Sequence, residues 1–214
     1  MALATDGQFS IYTQKHTNNK DKVFKTKLVL LGELAVGKSS LVSRFVNHQF
    51  CQHQQSTISS AFFRRSIGLE GAIVEFEIWD TAGSERFHSM APQYYRRAQA
   101  AVVVYDIHLE YTFTRAKRWV DELREKLPGK ILIALVGNKL DLEENREVGF
   151  GEAKSYAVRN GLLFKETSAK TGFNVYELFV EIAEMLPKND DCVPVQGIRL
   201  DESVRKTKRK LCCA

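Results

Sequence analysis

The sequence predicts an α/β fold: a mostly parallel six-stranded sheet with helices on both faces. Three observations carry this. Short apolar runs at 28–31, 100–105, 131–136 and 162–164 are apolar on both faces, as strands buried on two sides must be. They alternate with helix-period segments at 39–47, 113–127, 152–160 and 175–186, the pattern of a sheet wound on both sides. Two further segments, 61–67 and 72–80, alternate like a hairpin around Gly68 and Gly71.

In chain order, residues 1–22 are polar (Gln14, Lys15, Asn18, Asn19, Lys20) with no apolar period, and a disordered arm is expected there. Structure is expected from Phe24, within a single domain over 23–186. The helix at 175–186 is the clearest, with Val175, Leu178, Phe179, Ile182 and Leu186 on one face and Asn174 and Glu177 as an expected N-cap and capping-box pair. Residues 187–214 form an expected flexible basic tail.

Composition narrows the function. With 214 residues, 44% hydrophobic and 27% charged, the chain can bury one ordinary core. Its longest apolar run is the seven residues 131–137, far short of the roughly 20 needed for a membrane span. The first residues lack a basic-then-apolar leader and a glycine at position 2, so a cytosolic chain, or one reaching membranes by another route, is expected. The four cysteines show no C-x-x-C, and the five histidines no H-E-x-x-H, so disulfide and zinc chemistry are not expected. The net charge of +5 is uneven: residues 187–214 carry seven basic and four acidic side chains, leaving +2 for the rest. A nearly balanced domain does not predict nucleic-acid binding.

The chemistry sits at strand ends. Residues 32–39 read G-E-L-A-V-G-K-S, a full G-x-x-x-x-G-K-[ST] after a buried strand and before a helix. Such a loop turns backbone N–H groups inward as a phosphate nest, with the helix N-terminus behind it. Gly32, Leu34, Ala35, Val36, Gly37 and Ser40 belong to this cradle, Lys38 reaches the β- and γ-phosphates, and the Ser39 hydroxyl is a Mg²⁺ ligand. Residues 138–141, N-K-L-D, end another buried strand, where open α/β sheets bind ligands. There the Asp141 carboxylate can accept from both N1–H and the 2-amino group of guanine, Lys139 can lie along the base, and Ser168, Ala169 and Lys170 follow the next strand. Residues 80–83, D-T-A-G, place Asp80 to hold Mg²⁺ through water and the Gly83 N–H to meet the γ-phosphate. Thr57, in the polar loop before the hairpin, is a candidate second Mg²⁺ ligand. Alternation in 74–79 puts Trp79 on the polar face beside Glu75 and Glu77, a candidate interface hot spot.

These segments, with F-E-I-W-D-T-A-G, A-P-Q-Y-Y-R-R-A-Q-A-A-V-V-V-Y-D and E-T-S-A-K, resemble the Rab family of Ras-superfamily small GTPases. The wording around Ser56-Thr57-Ile58 and His88-Ser89-Met90-Ala91-Pro92 resembles most the early-endosomal, Rab-five group. The resemblance implies a small G domain of P-loop type that binds GTP and GDP with Mg²⁺, hydrolyses GTP and recruits effectors in endosomal trafficking. It implies that Phe50 packs on guanine, that the Ala169 N–H meets the guanine oxygen, and that Phe62, Trp79 and Tyr94 form an effector patch. Cys212 and Cys213 resemble the double-cysteine ends that carry two geranylgeranyl groups, beside a cluster at 203–210 with five Arg or Lys in eight residues. Implied partners are effectors, an exchange factor, a GTPase-activating protein, a prenylation escort, a dissociation inhibitor and an anionic membrane surface. A monomer cycling between cytosol and the cytoplasmic face of endosomes is expected.

Four positions depart from the family's pattern. Ser84 stands where a glutamine orients the attacking water, and Leu34 where the loop has a small residue; Ser59 and Arg97 stand where glycine is usual. With Lys38 and Gly83, Ser84 completes the expected catalytic set, and its short side chain leaves two readings open: slow hydrolysis, or a GTP-loaded binding platform without it.

Overall fold

A computed structural model describes residues 22–84, 90–129 and 131–187. The basic cluster, Cys212, Cys213, residues 1–21 of the expected arm, and His88 and Ser89 lie outside the described residues. Six strands, β1 (Lys22–Gly32), β2 (Ser60–Leu69), β3 (Ala72–Thr81), β4 (Ala100–Asp106), β5 (Leu132–Asn138) and β6 (Leu163–Glu166), form one sheet in the order β2-β3-β1-β4-β5-β6. Only the β2–β3 pair is antiparallel. The first strand begins at Lys22, ahead of the expected Phe24, because pairing with β3 continues back to Lys22↔Ala72.

Strand alternation sends side chains into two separate cores. Leu28 and Leu30 of β1 and Val102 and Val104 of β4 face Leu41, Val42 and Phe45 of α1 (Lys38–Asn47) and Phe179 and Ile182 of α5 (Val175–Met185). Val29, Leu31, Val103 and Tyr105 face the other way, onto α2 (Ala91–Tyr95), α3 (Glu110–Lys126) and α4 (Phe150–Arg159). All seven residues of β4 are buried, as its unbroken apolar run requires.

One local expectation holds in position but not in bonding: Asn174 is the N-cap residue of α5. Asn174 makes no side-chain cap; its backbone is left-handed (φ 57°), and its Nδ2 donates to the Glu166 carbonyl at 2.9 Å. The amide thus ties the α5 start to β6. The sequence reading also passed over α2 and a 3₁₀ segment, Leu140–Asn145, both too short to show a period.

Candidate nucleotide site

The C-terminal ends of β1, β3, β4, β5 and β6 lie along one edge of the sheet, and loops from this edge enclose a cleft of about 500 Å³. Lys38, Ser39, Thr57, Gly83, Asn138 and Asp141 all line it. Positive φ at Ala35 (61°) and Gly37 (95°) curls the 32–39 loop, and a Cβ at Gly37 would stand 2.3 Å from Asn138 Nδ2. Only glycine lets the loop and the base-side strand approach so closely. Asn138 exploits the gap, donating Nδ2 to the Val36 carbonyl at 2.8 Å.

The Lys38 side chain folds back across the loop, its ammonium donating to the carbonyls of Gly32 (2.9 Å) and Glu33 (2.8 Å). Burial pushes its pKa down to about 8, against the opposing charges of Asp80 and Glu33. Asp80 shows the converse. Burial pushes its carboxyl up, while hydrogen bonds from Ser39 and Thr57 and the charge of Lys38 pull it down. A buried amine disfavoured as a cation next to a buried carboxyl disfavoured as an anion suits a ligand that brings both phosphate and metal.

The metal donors fit Mg²⁺. Ser39 Oγ and Thr57 Oγ1 are 2.8 Å apart, and Thr57 Oγ1 lies 3.4 Å from Asp80 Oδ2. Asp80 is 1% exposed, and its Oδ1 has no hydrogen-bond partner among the described residues. Two hydroxyls and an orphaned carboxylate oxygen form a hard, all-oxygen set that leaves room for water and phosphate, as Mg²⁺ prefers. Among the described residues no group of three or more His, Cys, Asp and Glu could hold a metal.

On the base side, Asn138 Oδ1 accepts from the Ala169 N–H (3.2 Å) and Thr167 Oγ1 (3.3 Å), so one amide braces the phosphate loop against the 168–170 loop. Asp141 Oδ1 accepts from Ser168 Oγ at 2.6 Å, which fixes the carboxylate, while Oδ2 lies 3.8 Å from Lys170 Nζ. Phe50 also lines the cleft.

Comparison with known proteins agrees with this geometry. Residues 27–188 match the Ras family model. The chain belongs to the Ras family, in its Rab branch. It is 55% identical over 199 residues to Ras-related protein Rab-5A of Dictyostelium discoideum, covering 92% of this chain and 99% of that one. This GTPase binds GTP and GDP with Mg²⁺, hydrolyses GTP, and has effectors, exchange factors, GTPase-activating proteins and a dissociation inhibitor as its kinds of partner.

Not every expected residue of this GTPase reaches the cleft. Val36 and Ser168 stand behind its wall as hydrogen-bond supports, and Gly32 lines a second, smaller cavity. Leu34 is on the wall and 47% exposed. Ser84 does not line the cleft: it faces the smaller cavity with Ser59, Tyr94, Arg118 and Trp119, and among the described residues Gly83 alone borders both. Trp79 is half-buried, edge-on to Phe62 (5.3 Å between centroids) and 5.9 Å from the Tyr94 ring, so the three aromatics form one surface, with Phe62 45% exposed.

Asp106 escaped the sequence reading. Fully buried at the C-terminal end of β4, it holds the Lys139 ammonium at 2.6 Å and so fixes the lysine, whose own backbone is left-handed (φ 68°). The available signal was a carboxylate ending the otherwise apolar run A-A-V-V-V-Y-D.

Proposed function

We propose that this GTPase is a membrane-anchored switch of endosomal trafficking whose GTP form is long-lived. In this reading Lys38 and the 32–39 loop hold the phosphates, Ser39 and Thr57 ligate Mg²⁺ with Asp80 behind them, and Asn138, Lys139 and Asp141 select guanine. Phe62, Trp79 and Tyr94 present the GTP form to effectors. Lipids on Cys212 and Cys213, with the basic cluster beside them, hold the protein on the cytoplasmic face of endosomes, since two chains anchor where one is marginal. The dissociation inhibitor returns it to the cytosol.

The observation behind the long-lived GTP form is the position of Ser84 off the cleft wall, with Leu34 exposed at the cleft. Water attack on the γ-phosphate needs an orienting group, and relatives that have the glutamine turn over unaided at only about 10⁻⁴ s⁻¹. Serine is too short to orient water there, and leucine crowds the space an activating arginine would enter. Single-turnover phosphate release tests this. The double substitution Ser84→Gln with Leu34→Ser is expected to hydrolyse GTP faster with GDP affinity unchanged. Equal rates for the natural and substituted chains would remove these two residues as the brake.

A further inference from the structure

Arg44, one turn from the C-terminal end of α1, has no role in the nucleotide chemistry described so far and does not line the cleft. Its guanidinium is nevertheless spent on the loop that forms the cleft's base end. Nε donates to the Ala169 carbonyl at 2.9 Å and Nη2 to the Lys170 carbonyl at 2.7 Å, while Nη1 donates to the His48 carbonyl at 3.0 Å. The first two partners are 125 and 126 residues away in sequence. Gly172 lies alongside the fork in left-handed backbone (φ 87°), where a Cβ would be in ordinary contact with Arg44 Cδ at 3.6 Å. A trans peptide points its C=O and N–H in opposite directions. With the Ala169 carbonyl held by Arg44 behind the wall, the Lys170 N–H of the same peptide unit is aimed away from Arg44, and the loop as a whole is pinned from outside.

We infer that Arg44 is a positioning residue for guanine recognition: its planar fork fixes the 168–170 loop so that backbone N–H groups meet the 6-oxygen of the base. Because α1 also begins with Lys38 and Ser39, this one helix joins the phosphate and metal end of the site to its base end. The ten-residue helix spans about 15 Å, the distance over which a shift at one end reaches the other. A lysine ammonium can also donate to more than one carbonyl, but it is a point charge on a flexible stem and lacks the rigid planar fork that holds three carbonyls in fixed directions, so charge alone does not replace the arginine.

This inference rests on reading the 168–170 loop as the sensor of the guanine oxygen, and the test separates the two. Dissociation constants are measured on the full Mg²⁺-loaded chain for GDP, for inosine diphosphate, which keeps the 6-oxygen, and for 2-aminopurine riboside diphosphate, which lacks it together with the N1–H assigned to Asp141, so the loop's share is read from how each nucleotide responds to the Arg44 variants. The natural chain is expected to bind the 2-aminopurine nucleotide much more weakly than GDP; if it binds both alike, the loop is not the sensor and the inference falls with it. Given that discrimination, Arg44→Gln is expected to weaken GDP and inosine diphosphate together by about tenfold and leave the 2-aminopurine nucleotide unchanged. Arg44→Lys, the variant to use if the glutamine form does not fold, is expected to show the same selective loss to a smaller degree. Equal weakening of all three nucleotides, or no change in GDP, would overturn a positioning role.

Discussion

At Ser59 and Arg97 the chain carries ordinary side chains in left-handed backbone, φ 64° and 60°, at two positions where the resemblance had led us to expect glycine. An L-residue held there costs about 1–2 kcal/mol, part of which glycine returns through its greater freedom when unfolded. The two sites differ in compensation. Ser59 Oγ shares a 2.8 Å hydrogen bond with the Tyr94 hydroxyl, tying the end of the 50–59 loop to the aromatic patch. Arg97 is exposed, and its charge adds to the burial that lowers the pKa of Lys27, whose ammonium lies 5.3 Å from the Trp79 ring centre. Arg97→Gly is therefore expected to stabilise the protein by about 1 kcal/mol, seen as a rise of roughly 2–4 °C in a thermal melt. Ser59→Gly is expected to be near neutral, because relief of backbone strain is offset by loss of the Tyr94 bond. A fall in melting temperature for Arg97→Gly would mean that its side chain contributes more than its backbone costs.

At the level of elements, the sequence was legible wherever burial imposed a period. The apolar runs of β4 and β5 and the alternation of β2 and β3 each correspond to a strand because a face-buried element repeats its pattern several times. The short α2 and the 3₁₀ segment repeat nothing, so they left no trace, and Asn174 matched a capping pattern yet used its amide on Glu166, a partner set by tertiary packing. The site divides the same way. Contiguous motifs at 32–39, 80–83 and 138–141 announced their chemistry, whereas Asp106 and Arg44 act through partners 33 and 125 residues away and carried no local pattern. Element packing also locates the greatest sensitivity of the α1 face. Phe45 is fully buried, stacks on Phe179 with centroids 3.8 Å apart, and meets Phe76 edge-on at 6.4 Å, joining α1, α5 and β3. Phe45→Ala is expected to cost about 3–5 kcal/mol, measured by urea unfolding of the nucleotide-loaded protein, against about 1 kcal/mol for Phe45→Leu. Similar small losses for both would show that α1 repacks onto the sheet without its aromatic anchor.

The whole molecule is two cores back to back on one sheet, and the nucleotide cleft lies at the edge where loops from both sides meet. Those loops are anchored by Val36 and Ala169 in the apolar core and tied by a few polar braces: Asn138 to Val36, Lys38 to Gly32 and Glu33, and Ser39 to Thr57. Around Asp80 and Lys38 the bare protein carries the burial cost of both charges, a cost that Mg²⁺ and phosphate relieve. A ligand that binds only the folded state adds RT ln(1 + [L]/Kd) to its stability, about 4 kcal/mol at a thousandfold excess over Kd. Stripping Mg²⁺ with a chelator and then the nucleotide is expected to lower the melting temperature in two steps. The first should be smaller in an Asp80→Asn variant, because the lost carboxylate already weakens the metal. Hydrogen exchange should place the accompanying loss of protection in the 50–59 and 80–84 segments and the 168–172 loop, leaving β4 and β5 protected. If chelation alone unprotects the central strands as well, the cleft is not a peripheral ring of loops on an independent core, and nucleotide and fold form one cooperative unit.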